Sequence, residues 1–175
     1  LTESLTELLP ADVTDEYVRF ESRDCVGEEV EWNKNGGTQL GYPGSDVHKY
    51  LNKGLFERLP EDLRKVISLA ERKTLRDGET VSFNTYLFLP TASEVFDEDD
   101  CYGDEGMYEQ MEYYKDRRNR MRGSAEGEDT CGWWLASVGS GPSTCACDVC
   151  YNGYASHWSA SNALRVPVCF IIKKS

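Results

Sequence analysis

The sequence contains no apolar run approaching the ~20 residues that a membrane-spanning helix requires, so no such helix is expected. Positive charge is scarce: 19 Lys and Arg stand against 31 Asp and Glu, for a formal net charge of -12. A protein built this way lacks the clustered cations on which affinity for phosphate backbones rests, and nucleic acid is excluded as an expected partner. There are only two histidines. His48 falls beside Lys49 in a helical stretch and reads as an ordinary surface residue, and His157 beside Trp158 is better suited to contacting a ligand than to moving a proton. No Gly-x-Ser-x-Gly, Walker or dinucleotide pattern is present, and the Gly139 to Gly141 turn lacks the helix that would cradle a phosphate. Internal repeats and long low-complexity linkers are missing too, so residues 1–175 read as one domain. Seven cysteines is an odd number, and no secretory leader precedes Leu1. Both point to synthesis in a reducing cytoplasm, which is compatible with later display on a virion or cell surface. The opening on an apolar helical piece rather than Met fits a domain cut from a longer chain.

What is present is an ordinary globular composition, 39% hydrophobic and 11% aromatic, in segments of both periodicities. Leu1, Leu5, Leu8 and Leu9 have helical spacing, ended by Pro10. Residues 13–21 and 28–32 read as strands around Gly27, with turns at Asn35-Gly36-Gly37 and Tyr42-Pro43-Gly44. Ser45 caps a predicted helix over 45–52, which Gly54 ends or kinks, and Pro60 starts another over 61–70. Residues 80–89 predict a strand, Thr91 and Glu94 a capping box, and Met107 to Arg118 a further helix. Cys131-Gly132-Trp133-Trp134-Leu135-Ala136-Ser137 and Val166 to Ile172 predict strands of one antiparallel sheet. The fold class is therefore α+β, with helices in the first half and an antiparallel sheet formed largely by the C-terminal half.

Between the last two strands, residues 151–162 mix Tyr, Asn, Ser, His and Trp with no core periodicity. Tyr and Trp supply contact area at low entropic cost, while Ser and Asn supply adaptable hydrogen bonds. The expected ligand-binding residues are Thr144, Tyr151, Asn152, Tyr154, Ser156, His157, Trp158, Ser159, Ser161 and Asn162. The expected partner is a protein or glycan, with no catalytic residue and no cofactor. Cys145, Cys147 and Cys150, completed by Cys131 or Cys169, are the sharpest metal candidates, but only Cys147 and Cys150 have knuckle spacing, and incidental thiols are the expectation. Asp97, Glu98, Asp99, Asp100, Asp104 and Glu105 lack the EF-hand order and read as a solvated loop rather than a calcium site. The basic run Lys115, Arg117, Arg118, Arg120 and Arg122 reads as intramolecular pairing and helix-end charge. Adjacent strand positions face opposite sides, so at least one of Trp133 and Trp134 belongs to the core.

The segments Ser45-Asp46-Val47-His48-Lys49-Tyr50-Leu51-Asn52, Leu59-Pro60-Glu61-Asp62-Leu63, Tyr86-Leu87-Phe88-Leu89-Pro90 with Glu94-Val95-Phe96, Tyr113-Tyr114-Lys115-Asp116, Trp133-Trp134-Leu135 and Cys169-Phe170-Ile171 together resemble an uncharacterised domain family. That family occurs in gut-bacterial surface proteins and phage structural proteins, and the likeness spans residues 17–172. It resembles the C-type-lectin-like fold shared with formylglycine-generating-enzyme-like domains. The resemblance implies that fold, and a C-terminal surface of the kind that a diversity-generating retroelement varies in some such proteins. Two departures stand out: Ala136 where the family usually has Arg, and Arg165 where it has a small residue. The alternatives are a structural domain of a virion or surface fibre and a formylglycine-generating-enzyme-like catalyst.

Overall fold

The structure is a computed structural model that describes residues 7–97, 107–124, 126–139 and 144–175. Ten strands are described: β1 (Leu8–Val13), β2 (Tyr17–Ser22), β3 (Val26–Glu31), β4 (Ala70–Arg76), β5 (Glu79–Thr85), β6 (Trp133–Val138), β7 (Cys145–Val149), β8 (Ala155–Ser159), β9 (Ala163–Val166) and β10 (Cys169–Lys173). They form a three-stranded sheet β1-β2-β10, a five-stranded sheet β3-β9-β6-β7-β8 and the hairpin β4-β5. The helices are short: α1 (Gly41–Gly44), α2 (Asp46–Lys49), α3 (Phe56–Arg58), α4 (Glu61–Val66), α5 (Ala92–Val95) and α6 (Glu112–Lys115). The chain is α+β. Four of the five strands in the largest sheet come from the second half, but that sheet is mixed, because β6 meets β9 in parallel through Trp133 and Arg165. The final predicted strand is also two: Pro167 and Val168 separate β9 from β10, which lies in the other sheet.

Strand β6 organises the interior. Trp133 and Trp134 are both buried, and the alternation of a strand sends them into different cores. Trp134 packs with Trp32, Tyr42, Leu51, Leu55, Phe88 and Phe170, whereas Trp133 packs with Phe96, Tyr114, Leu135 and Val149. Each indole N–H is satisfied: Trp134 Nε1 donates to Val30 O at 2.8 Å and Trp133 Nε1 to Arg120 O at 2.9 Å. Ala136 is buried in the Trp134 core, where an Arg would need a counter-charge.

Several local expectations are corrected by tertiary pairing. Leu8 and Leu9 lie in β1, not a helix; β1 is an edge strand, and an edge with a register shift tolerates Pro10. Of the two outcomes expected at Gly54, an end or a kink, the end is not found: Gly54 lies inside a π-helical irregularity. The turns run from Asp46 through a π-helical stretch, Tyr50–Leu55, to Arg58, where Leu59 turns extended before Pro60. The next helix stops at Val66 rather than Ala70, because Ser68 N–H bonds to Ile171 O at 2.9 Å and Ala70 opens β4. Met107 to Gln110 are not helical; α6 and a 3-10 turn at Arg117–Arg120 follow instead. Ser45 does cap its helix, accepting from His48 N–H, and Thr91 with Glu94 forms the capping box.

Candidate functional site

The β7–β8 hairpin builds the candidate surface. All five residues of β8 pair with β7, from Cys145 opposite Ser159 to Val149 opposite Ala155. The turn closes with Cys150 N–H on Tyr154 O at 2.9 Å, and Gly153 takes φ +81° there. Residues 155–159 are thus a strand, although neither face shows an apolar period. β8 sits at the end of its sheet and is half-exposed or exposed throughout, which removes the alternation that a covered strand would print in its sequence.

The ten expected contact residues fall into three groups. Tyr151, Asn152 and Tyr154 occupy the turn, with Tyr151 64% and Tyr154 54% exposed. Ser156 and Trp158 share the sheet face that carries Ala146 and Asp148, and Trp158 is 51% exposed. His157 points to the opposite face, level with Cys147. Thr144, Ser159, Ser161 and Asn162 gather at the far end of the hairpin: Thr144 O accepts from Ala160 N–H, and the Ser159 and Ser161 hydroxyls are 3.0 Å apart.

The turn group has neighbours that the sequence reading left out. Arg117 stacks over the Tyr154 ring, 4.8 Å to its centroid, and its Nη1 donates to Asn152 O at 3.0 Å. Gly153 lies against Arg117 and Met121, and Met121 is itself exposed. Tyr154, Arg117 and Met121 thus meet around the hairpin turn in one aromatic and cationic patch. Arg118 beside it pairs with Asp116 at 2.6 Å. The acidic stretch directly before it made the whole basic run look self-satisfied, and no local feature of the sequence sets Arg117 apart from its neighbours.

Asp148 was also missed. It is 4% exposed, its Oδ1 has no hydrogen-bond partner, and Ser156 is the group that bonds to the carboxyl. Burial pushes its pKa up to about 7 against the small opposing effect of Ser156.

The thiols are dispersed. Cys169 lies in the Trp134 core and Cys131 in the Trp133 core beside Cys25, with which it shares a thiol hydrogen bond. Cys145 and Cys147 lie along β7 and Cys150 in the turn. Among the described residues no group of three His, Cys, Asp or Glu side chains could hold a metal ion. Asp97 aside, the acidic stretch weighed for calcium lies outside the described residues. His48 is not the surface residue expected: it is half-buried, with Nε2 3.1 Å from Thr85 Oγ1 and its ring edge-on to Tyr42 and Phe83, and burial lowers its pKa.

A second constellation lies between β2, β4 and α5. Arg122, Glu21, Arg19, Glu94 and Arg72 form a buried chain of ion pairs, with successive contacts of 2.7, 2.6, 2.6 and 2.6 Å. The Tyr114 hydroxyl also donates to Glu21. Burial alone would raise the pKa of Glu94, but Arg19 and Arg72 outweigh it and hold the carboxyl well below the usual range. Glu94 also accepts from Thr91 N–H at 2.8 Å, so the residue legible as a helix cap is equally the centre of the ion chain.

The architecture is that of an α+β domain with two cores sharing one tryptophan strand and an exposed aromatic hairpin. The chain belongs to the family described as a domain of unknown function, DUF6273, whose model matches residues 11–174. No curated protein and no solved structure matches the chain.

Proposed function

We propose that this domain is a non-enzymatic recognition module of C-type-lectin-like fold, which presents the β7–β8 hairpin to a protein or glycan partner. The observation that carries the reading is the placement of Tyr151, Tyr154 and Trp158 on one hairpin with half or more of each side chain in solvent. Large aromatic side chains seldom stand exposed in a group without a partner, and Tyr, Trp and Arg are the residues that dominate binding hot spots. The buried tryptophan strand supports the same division of labour, a rigid frame holding a polar, adaptable edge. The net charge of -12 argues for a partner other than nucleic acid. Among the described residues no helix is long and apolar enough to cross a membrane.

The test compares the wild type with a Tyr151→Ser, Tyr154→Ser, Trp158→Ser triple variant on glycan and cell-surface protein arrays, beside thermal melts. The variant is expected to fold and to lose the binding that the wild type displays. A variant that folds and binds as well as the wild type would remove the hairpin from the interface.

A further inference from the structure

The buried ion chain has unequal ends. It alternates in sign as Arg122, Glu21, Arg19, Glu94, Arg72, so three guanidiniums face two carboxylates and one positive charge is left over. At the inner end, Arg122 donates to the carbonyl oxygens of Ser22 and Arg23 and lies over the Trp133 ring at 4.7 Å. At the outer end, Arg72 is sandwiched between Phe88 and Tyr108, 4.5 and 4.6 Å from their ring centroids. Among the described residues its one ion-pair partner is Glu94, through Nη2. A guanidinium has five N–H donors; the hydrogen bond of Arg72 to Glu94 uses Nη2, and its other nitrogens are not among the buried atoms without a partner, so donors remain within reach of solvent. Arg72 is only 9% exposed, yet it lines a cavity of about 190 Å³ that opens to the surface.

The walls of that cavity narrow the ligand. Tyr17, Phe88 and Tyr108 supply flat apolar faces, while Asp12, Glu71 and Glu109 stand around them; Glu71 and Glu109 are exposed and Asp12 is half-buried. A simple anion would meet the cation at depth but pass three carboxylates to reach it. A simple cation would suit the carboxylates and face Arg72 below. A molecule carrying both charges, negative end inward and positive end outward, satisfies the two layers together. The volume is below the ~300 Å³ at which pockets for drug-sized ligands begin, which limits the occupant to a small molecule.

We propose that this pocket binds a small zwitterion of the α-amino-acid class, its carboxylate on Arg72 and its ammonium toward Asp12, Glu71 and Glu109. The carboxylate continues the alternation of the buried chain and takes the donors that Glu94 leaves. The ammonium is held by charge at the rim and by the faces of the two tyrosines, and the side chain lies along the apolar wall. The site is independent of the β7–β8 hairpin, and its test does not depend on what the hairpin binds.

Isothermal titration of the whole chain with the free L-amino acids, one at a time at pH 7, tests the site. Each is paired with its N-acetyl form, which lacks the ammonium, and its amide, which lacks the carboxylate; acetate alone is the anion control. At least one free amino acid is expected to bind with a Kd below about 1 mM, with both blocked forms at least tenfold weaker. The rim variants Asp12→Asn and Glu109→Gln, which leave the buried chain intact, should melt as the wild type does and bind that amino acid about tenfold more weakly in combination. Absence of binding by every free amino acid at 10-fold that concentration overturns the proposal, as does equal binding of a blocked form or of acetate. Rim variants that fold and bind normally overturn the assignment of the ammonium.

Discussion

The guanidinium of Arg117 sits over Tyr154, 4.8 Å from the ring centroid, while donating to the Asn152 carbonyl two residues earlier in the same turn. One side chain from the 3-10 turn thereby fixes both the position of an exposed ring and the backbone that carries it.

A double-mutant cycle on Arg117→Gln and Tyr154→Leu should therefore return a coupling of about 0.5–1 kcal/mol, typical of a cation over an aromatic face at an exposed site. Denaturant melts of the two single variants and the double variant measure it. A coupling indistinguishable from zero would mean the pair is merely adjacent.

Gly153 is the point at which the turn tolerates no side chain. Its φ is +81°, and an added Cβ would lie 2.9 Å from the Arg117 carbonyl oxygen. Gly153→Ala is expected to cost about 1–3 kcal/mol through strain and displacement of the turn. Gly78, also at positive φ but with open space around it, should lose less on the same substitution, and the comparison separates steric conflict from backbone preference.

Loss of either β6 indole leaves a large void and strands a carbonyl acceptor. Trp133→Ala and Trp134→Ala should each cost about 3–5 kcal/mol. Urea denaturation followed by far-ultraviolet dichroism provides the measurement; a loss below 1 kcal/mol for either would show that its core collapses to fill the gap.

Asp148 ties stability to pH in an unusual direction. Its carboxyl keeps its proton up to about pH 7 in the folded chain, but an unfolded Asp releases it near pH 4, so between those values the native state binds more protons. Its contribution to folding accordingly becomes less favourable as pH rises from about 4 to 7, by at most ~1.4 kcal/mol per unit, and levels off above. Asp148→Asn should flatten the pH dependence of stability in that window relative to the wild type. An unchanged profile would show that the carboxyl ionises freely.

Glu94 acts oppositely. Its folded pKa is held below the value of an unfolded Glu, so its contribution is fully present above about pH 4 and is lost as pH falls through the lower folded value. Glu94→Gln should remove this acid dependence and, by leaving Arg19 and Arg72 without their shared counter-charge, destabilise the domain by about 3–5 kcal/mol at neutral pH. Should the variant retain wild-type stability, the ion chain contributes nothing that a neutral amide cannot replace.

Local chemistry made much of the frame legible. The Ser45 cap, the Thr91 and Glu94 capping box, and the apolar β6 strand with its two indoles all act within a few residues, and each stands where the residues indicated. The hairpin β4–β5 was read only in its second strand: Asp77-Gly78, two residues at positive φ of the kind that turn a tight hairpin, went unread, and the helical spacing of Leu63, Val66, Ile67 and Ala70 drew attention away from the first strand. What the sequence withheld was pairing at long range: Ser68 with Ile171, Trp133 with Arg165 across a parallel bridge, and Pro10 accommodated at an edge. The exposure of Tyr151, Tyr154 and Trp158 followed from composition, whereas the separation of His157 from Ser156 and Trp158 onto opposite faces depended on a strand that lacks any alternation. The ion chain joins residues up to 101 positions apart, as Glu21 is from Arg122, and no local pattern predicts such a meeting.

Strand β6 also bears on how the molecule comes apart. Because one indole anchors each core and both hang from the same six residues, neither core can loosen without pulling the peptide bond between Trp133 and Trp134 away from the other. Partial opening on one side is then coupled mechanically to the far side, and the amides of this strand should exchange with solvent only when the whole domain unfolds.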